Sequence, residues 1–108
     1  MNERQRLQQL LLEKSYRQGT FTLTSGKTSD FYVDGKQTTL DAEGGYLCGQ
    51  LLFELIRQHP QPIVGVGGMT LGADPLVTAV SLVSHLRGRP LPAFIVRKKP
   101  KGHGTNQF

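Results

Sequence analysis

The chain has one cysteine, Cys48, in 108 residues. A lone thiol closes no intramolecular disulfide and builds no thiolate metal site, which fits a reducing compartment. Its neighbours Tyr46, Leu47, Leu51 and Leu52 predict a small buried hydrophobe rather than a nucleophile. No apolar run reaches the roughly 18 residues that mark a membrane-spanning helix. The amino terminus, MNERQRLQQ, is polar and no apolar segment of the signal-peptide kind follows it. These absences predict a cytoplasmic protein with no membrane partner. Acidic residues are also scarce: from Leu55 to the end the only one is Asp74.

What remains is modestly apolar and basic. A hydrophobic share of 37% over 108 residues falls in the range of one domain with a modest core. The formal charge of +5 and a pI near 9.7 imply attraction to anions, without choosing among nucleic acid, membrane and small phosphates. Much of the charge is local. RKKPKGH, residues 97–103, holds four of the thirteen Lys and Arg, with His103 beside them. Two readings of this tail stand level on the residues alone: a solvated or nucleic-acid-binding arm, and a grip for phosphate.

Leucines at 7, 10, 11 and 12 among Arg, Gln, Glu and Lys have the spacing of an amphipathic helix over residues 3–18, with Gly19 as its stop. FTLTSGKTSDFYVDGK then reads as two short strands around a Ser25-Gly26 turn. From Asp41, a natural N-cap, Tyr46, Leu47, Leu51, Leu55 and Ile56 predict a second helix that ends near His59-Pro60. Ile63–Val66 reads as a buried strand, followed by the loop Gly67-Gly68-Met69-Thr70-Leu71-Gly72 and a helix from Pro75 that Gly88 and Pro90 close. Ala93–Val96 is a second strand leading into the basic tail. Strand, Gly-rich loop, helix, strand is a βαβ unit and implies a parallel sheet. Such a sheet needs more than two strands and both faces covered. The expectation is therefore an α/β fold that stops before its core is finished.

Two segments carry candidate chemistry. A loop between a parallel strand and a helix lies where ligands bind, and its glycines let backbone N–H groups approach phosphate. Its spacing matches neither the dinucleotide fingerprint nor the lysine-bearing P-loop, and a plain tight turn explains it equally well. Arg97 and Lys98 follow the second strand directly and are placed for phosphate, while Lys101 and His103 lie on a Gly-flanked arm able to close over a polyanion. Other groups point to less. Asp30, Asp34 and Asp41 lack a histidine cluster that would make a metal site. His59 and His85 read as solvated residues near helix ends, and Ser25 and Ser29 have no triad partners.

FTLTSGKTSDFYVDGK, VGVGGMTLGADPL and FIVRKKPKGHGTNQF, in this order and at these separations, resemble segments of bacterial orotate phosphoribosyltransferases. The likeness runs from about Leu10 to Phe108. The resemblance implies a type I phosphoribosyltransferase fold, with a small amino-terminal hood over a parallel-sheet core flanked by helices. Residues 1–40 would form the first helix and hood, and residues 41–108 the first part of the core, ending in a flexible catalytic loop. It implies transfer of a phosphoribosyl group from phosphoribosyl diphosphate to orotate in UMP biosynthesis, by a homodimer with shared active sites. Magnesium would be held through the substrate diphosphate, with no metal ligand on the chain itself. By the same resemblance Lys101 and His103 are catalytic, and Arg97, Lys98, Gly68 and Thr70 meet the diphosphate. Thr24, Tyr32 and Val33 meet orotate. The alternative class is a small basic nucleic-acid-binding module using RKKPKGH.

The chain departs from the family pattern in places. Some members have lysine where this chain has Thr24 and Leu71, so the contacts those two lysines make are not carried over to it. The family's phosphoribosyl-diphosphate motif, a strand ending in two acidic residues before a Thr-Gly-rich loop, would lie after Phe108. The 108 residues alone are thus expected to be inactive.

Overall fold

The computed structural model describes residues 1–99, which fall into two units, Met1–Leu47 and the part from Cys48 onward. In the first, α1 spans Glu3–Leu10. Asn2 starts it with a reciprocal cap: its side chain accepts from the Gln5 N–H at 2.8 Å, and the Gln5 side chain accepts from the Asn2 N–H at 3.0 Å. One π-helical turn, Leu11–Ser15, follows, and at Tyr16 the backbone becomes extended.

The first helical segment is therefore shorter than its leucine spacing predicts. Tyr16, Arg17 and Gln18 are drawn into strand β1, Tyr16–Thr22, by pairing with Val33, Tyr32 and Phe31 of strand β2, Thr28–Val33. Cross-strand hydrogen bonds and the stacking of Tyr16 on Phe31, centroids 6.0 Å apart, outweigh the weak helical preference of these residues. Gly19 is not a helix stop. It sits inside β1 at φ +150°, where the antiparallel register slips between Gln18 and Phe21. Glycine tolerates that backbone and the bulge uses it. The predicted turn is present: the Gly26 N–H donates to the Leu23 carbonyl at 2.9 Å, and the Leu23 N–H to the Lys27 carbonyl at 2.8 Å.

A short helix, α2, Lys36–Thr39, was not legible in the sequence. It is tied to the end of the π-turn by a hydrogen bond between the hydroxyls of Ser15 and Thr38, both fully buried. Helix α3, Ala42–Arg57, begins as its N-cap predicts. The Asp41 carboxylate accepts from the Gly44 N–H at 2.9 Å and pairs with Lys14 at 3.4 Å. Gly44 has a steric reason to lack a side chain, because a Cβ there would overlap the Thr38 carbonyl.

In the second unit, strand β3 is Val66–Met69, helix α4 is Asp74–Leu86 and strand β4 is Ala93–Val96. β3 and β4 pair in parallel, Val66 opposite Ala93 through Met69 opposite Val96, as the βαβ reading expects. β3 itself lies three residues later than the apolar run Ile63–Val66. Its position is set by its partner rather than by its own side chains. A Cβ on Gly67 would run into the Phe94 ring, and one on Gly68 would meet the Ala73 methyl at 2.5 Å, so the glycines belong to the strand. Phe53 of α3, Val83 of α4 and Leu91 form the buried cluster, with Ile56 and Val66 against it. α4 ends at Gly88, φ +78°, as glycine's left-handed preference predicts.

Two tests follow from this packing. Thr38→Val strips the buried Ser15 hydroxyl of its partner, and urea denaturation should show a loss of about 1–3 kcal/mol; an unchanged midpoint would mean that the pair does not hold α2. The second concerns acid. The Gly44 amide and then Lys14 hold the Asp41 carboxylate below its ordinary range, Arg6 does the same for Glu43, and Arg57 for Glu54. A depressed folded-state pKa contributes stability above the unfolded value, and that stability is lost as pH falls through the folded one. The melting temperature should drop from about pH 5 downward, and less steeply in Asp41→Asn. Equal slopes in the two proteins would contradict the assignment to Asp41.

Candidate functional site

The hairpin of the first unit carries an open groove of about 730 Å³. Arg17, Phe21, Leu23, Thr24, Tyr32 and Asp34 are among its lining residues. Arg17 stands directly opposite Tyr32 in the register, so their side chains share one face of the ribbon. The Phe21 ring lies against Tyr32 with centroids 5.7 Å apart. Asp34 accepts from the Gln37 side-chain amide at 3.2 Å.

Of the three residues the sequence associates with a base, the groove brings together Thr24 and Tyr32. Val33 is on the other face of β2, opposite Tyr16, because successive strand residues alternate sides. Arg17, like Phe21, Thr22 and Leu23, lines the groove although the sequence reading gave it no site role. Assigning it to a helix hid it, whereas alternation running back from Phe21 through a bulge would have placed it on the ribbon.

The second unit presents the carboxyl ends of two parallel strands. The ladder closes with the Thr70 N–H donating to the Val96 carbonyl at 2.9 Å. The chain then turns: the Ala73 N–H donates to Met69 at 3.0 Å and the Asp74 N–H to Leu71 at 3.1 Å. Among the described residues the Leu71 and Gly72 amides find no acceptor, and they precede the N-terminus of α4, where the dipole favours an anion.

Thr70 and Arg97 leave this end of the sheet side by side, one residue beyond the Met69–Val96 pair. Arg97 and Lys98 are exposed. The Thr70 hydroxyl donates to an Asp74 carboxylate oxygen at 2.7 Å, so it offers only lone pairs outward, and an anion would be met by backbone N–H groups. The other oxygen of Asp74 is buried without a hydrogen-bond partner among the described residues. Gly68, expected at the diphosphate, is held within β3 with Ala73 against it. Lys101 and His103 lie outside the described residues.

Cys48 is half-buried, and burial pushes its thiol pKa up, which disfavours the nucleophilic thiolate. His59 is exposed, its Nδ1 beside the Gln61 backbone. Among the described residues no three His, Cys, Asp or Glu side chains gather as a metal site would require.

No family model matches the chain. Individual proteins do. The orotate phosphoribosyltransferase of Nostoc sp. is 47% identical over 105 residues, covering 97% of this chain and 50% of that protein. That of Thermosynechococcus vestitus is 51% identical over 105 residues, again 97% of this chain and 54% of the relative. Among solved structures, the Mycobacterium tuberculosis orotate phosphoribosyltransferase in complex with 5-phospho-alpha-D-ribosyl 1-diphosphate matches with a TM-score of 0.72 at 38% identity. It covers 95% of this chain and 58% of the other. A Corynebacterium diphtheriae phosphoribosyltransferase matches with a TM-score of 0.77 at 39% identity, over 98% of this chain and 56% of that one. The nucleic-acid alternative has no support in these matches. The chain spans about half the length of the curated relatives it matches. Over nearly its whole length the chain is thus similar to part of the orotate phosphoribosyltransferases, and its α/β fold is like that of the matching part of type I phosphoribosyltransferases.

Proposed function

We propose that this chain carries one half of an enzyme that transfers the phosphoribosyl group of phosphoribosyl diphosphate to orotate, giving orotidine monophosphate and diphosphate in UMP biosynthesis. The observation that supports it is the identity of about half of all aligned positions to orotate phosphoribosyltransferases over 97% of the chain. In this reading residues 1–40 form the hood and residues 41–108 the first part of the core. The enzyme works as a cytoplasmic homodimer with shared active sites. No helix among the described residues is long and apolar enough to cross a membrane.

The chemistry asks for a cationic, donor-rich end of a parallel sheet. A ring nitrogen of orotate attacks the anomeric carbon, the bond to diphosphate breaks, and negative charge accumulates on the departing group. The Leu71 and Gly72 amides with Arg97 and Lys98 provide fixed positive potential there. Lys101 and His103 add charge as the diphosphate leaves. Thr24, Tyr32 and Val33 belong to the orotate end. Magnesium would arrive on the substrate diphosphate, since the described residues hold no clustered donor set for it.

The test is a chimera of this chain and the remaining half of the Nostoc relative, assayed for orotate-dependent release of diphosphate, with the 108 residues alone as control. The chimera should turn over and the control should not. Lys101→Ala in the chimera should lower kcat on the order of 100-fold with little change in KM, since its charge acts on the transition state. A change confined to KM would remove Lys101 from the catalytic role. A chimera that folds and shows no turnover would contradict the enzymatic reading.

A further inference from the structure

Resting on the reading of the hairpin groove as the place of the base, we propose that Arg17 is its carboxylate-recognising residue, making the groove selective for a planar heterocyclic acid over its uncharged counterparts. The charge inventory of the groove supports this. Of its eight lining residues, Arg17, Phe21, Thr22, Leu23, Thr24, Ser25, Tyr32 and Asp34, Arg17 alone is cationic. Asp34 repels an anion, so a carboxylate has one favourable partner there.

Arg17 is also uncommitted. Within this unit Arg6 pairs with Glu43 at 2.8 Å and Lys14 with Asp41 at 3.4 Å, while Arg4, Lys27 and Lys36, which make no ion pair among the described residues either, do not line the groove. Arg17 makes no ion pair among the described residues. Holding a guanidinium beside a groove without a partner costs little in water, but it leaves all five N–H donors for a ligand.

Geometry supplies the remaining requirement. Arg17 and Tyr32 are direct cross-strand partners, which places their Cβ atoms about 4.5–5.5 Å apart. A flat ring lying against the Tyr32 and Phe21 rings thus has its edge beside the guanidinium, and a carboxylate on that edge meets a planar fork of matching shape. The hydroxyls of Thr22, Thr24 and Ser25 remain for ring carbonyls and N–H groups. Lysine would supply the charge without the fork.

Titration calorimetry of the 108-residue chain with orotate and with the uncharged carboxamide of orotate tests this, using Arg17→Ala, Arg17→Lys and Tyr32→Ala. Arg17→Ala should weaken orotate binding about 10- to 100-fold, abolish its salt dependence and leave the carboxamide unaffected. Arg17→Lys should fall between. Tyr32→Ala should weaken both ligands. If Arg17→Ala binds orotate as the parent does while Tyr32→Ala does not, the Arg17 assignment fails and the groove stands. Equal losses for orotate and carboxamide in Arg17→Ala also overturn it, since a charge-reading residue distinguishes them. If the parent binds no orotate, or Tyr32→Ala changes nothing, the groove is not the base site and both readings fall. Should Arg17→Ala fail to fold by circular dichroism, parent-like orotate affinity and salt dependence in Arg17→Lys with the carboxamide binding equally well would overturn the proposal.

Discussion

Parallel pairing of β3 with β4 is the constraint on which the proposed phosphate site depends. A parallel ladder satisfies backbone groups only as far as both strands run, and here it ends at the hydrogen bond from Thr70 to Val96. Beyond that level the chain must find other partners or leave its amides free. The loop satisfies Ala73 and Asp74 internally and leaves Leu71 and Gly72 without an acceptor among the described residues, while β4 delivers Arg97 and Lys98 to the same end of the sheet. An electropositive, donor-rich edge therefore arises without a P-loop lysine. Gly67 and Gly68 serve this indirectly, since Phe94 and Ala73 occupy the space their side chains would need. A side chain at Gly68 would press on Ala73, whereas the exposed Phe94 ring beside Gly67 has room to turn away.

The hairpin follows the same logic with antiparallel geometry. A bulge at Gly19 absorbs the mismatch between the two strands, and the register on the far side of the bulge puts Arg17 against Tyr32. Register in a two-stranded ribbon is a single choice that fixes every side chain's face. A slip by one residue would exchange the Arg17–Tyr32 face for the Tyr16–Phe31 face.

Much of this was legible in the residues. α3, α4 and β4 carry local signals, namely an Asp41 cap, a Pro75 start, a Gly88 stop and a β-branched run, and each of these elements forms where those signals put it. The illegible parts depend on distant partners. Tyr16, Arg17 and Gln18 continue a helical pattern in sequence, and only Phe31, Tyr32 and Val33 make them a strand. β3 is displaced because two of its four residues are glycines with no side-chain pattern to read. The candidate site divides in the same way. Arg97 and Lys98 could be located from the strand that precedes them. Arg17 could not, because its role needs a cross-strand neighbour. The hydrogen bond from Thr70 to Asp74 changes what Thr70 can offer, and no spacing rule reveals which way a hydroxyl donates.

The central claim is that the end of the parallel ladder is a built anion site. Backbone amide resonances of the isotopically labelled chain, followed by NMR during titration with inorganic diphosphate, test it directly. The account predicts saturable shifts at Leu71, Gly72, Arg97 and Lys98 that exceed those along α1. Shifts spread evenly over the surface lysines and arginines, with Leu71 and Gly72 unmoved, would contradict it.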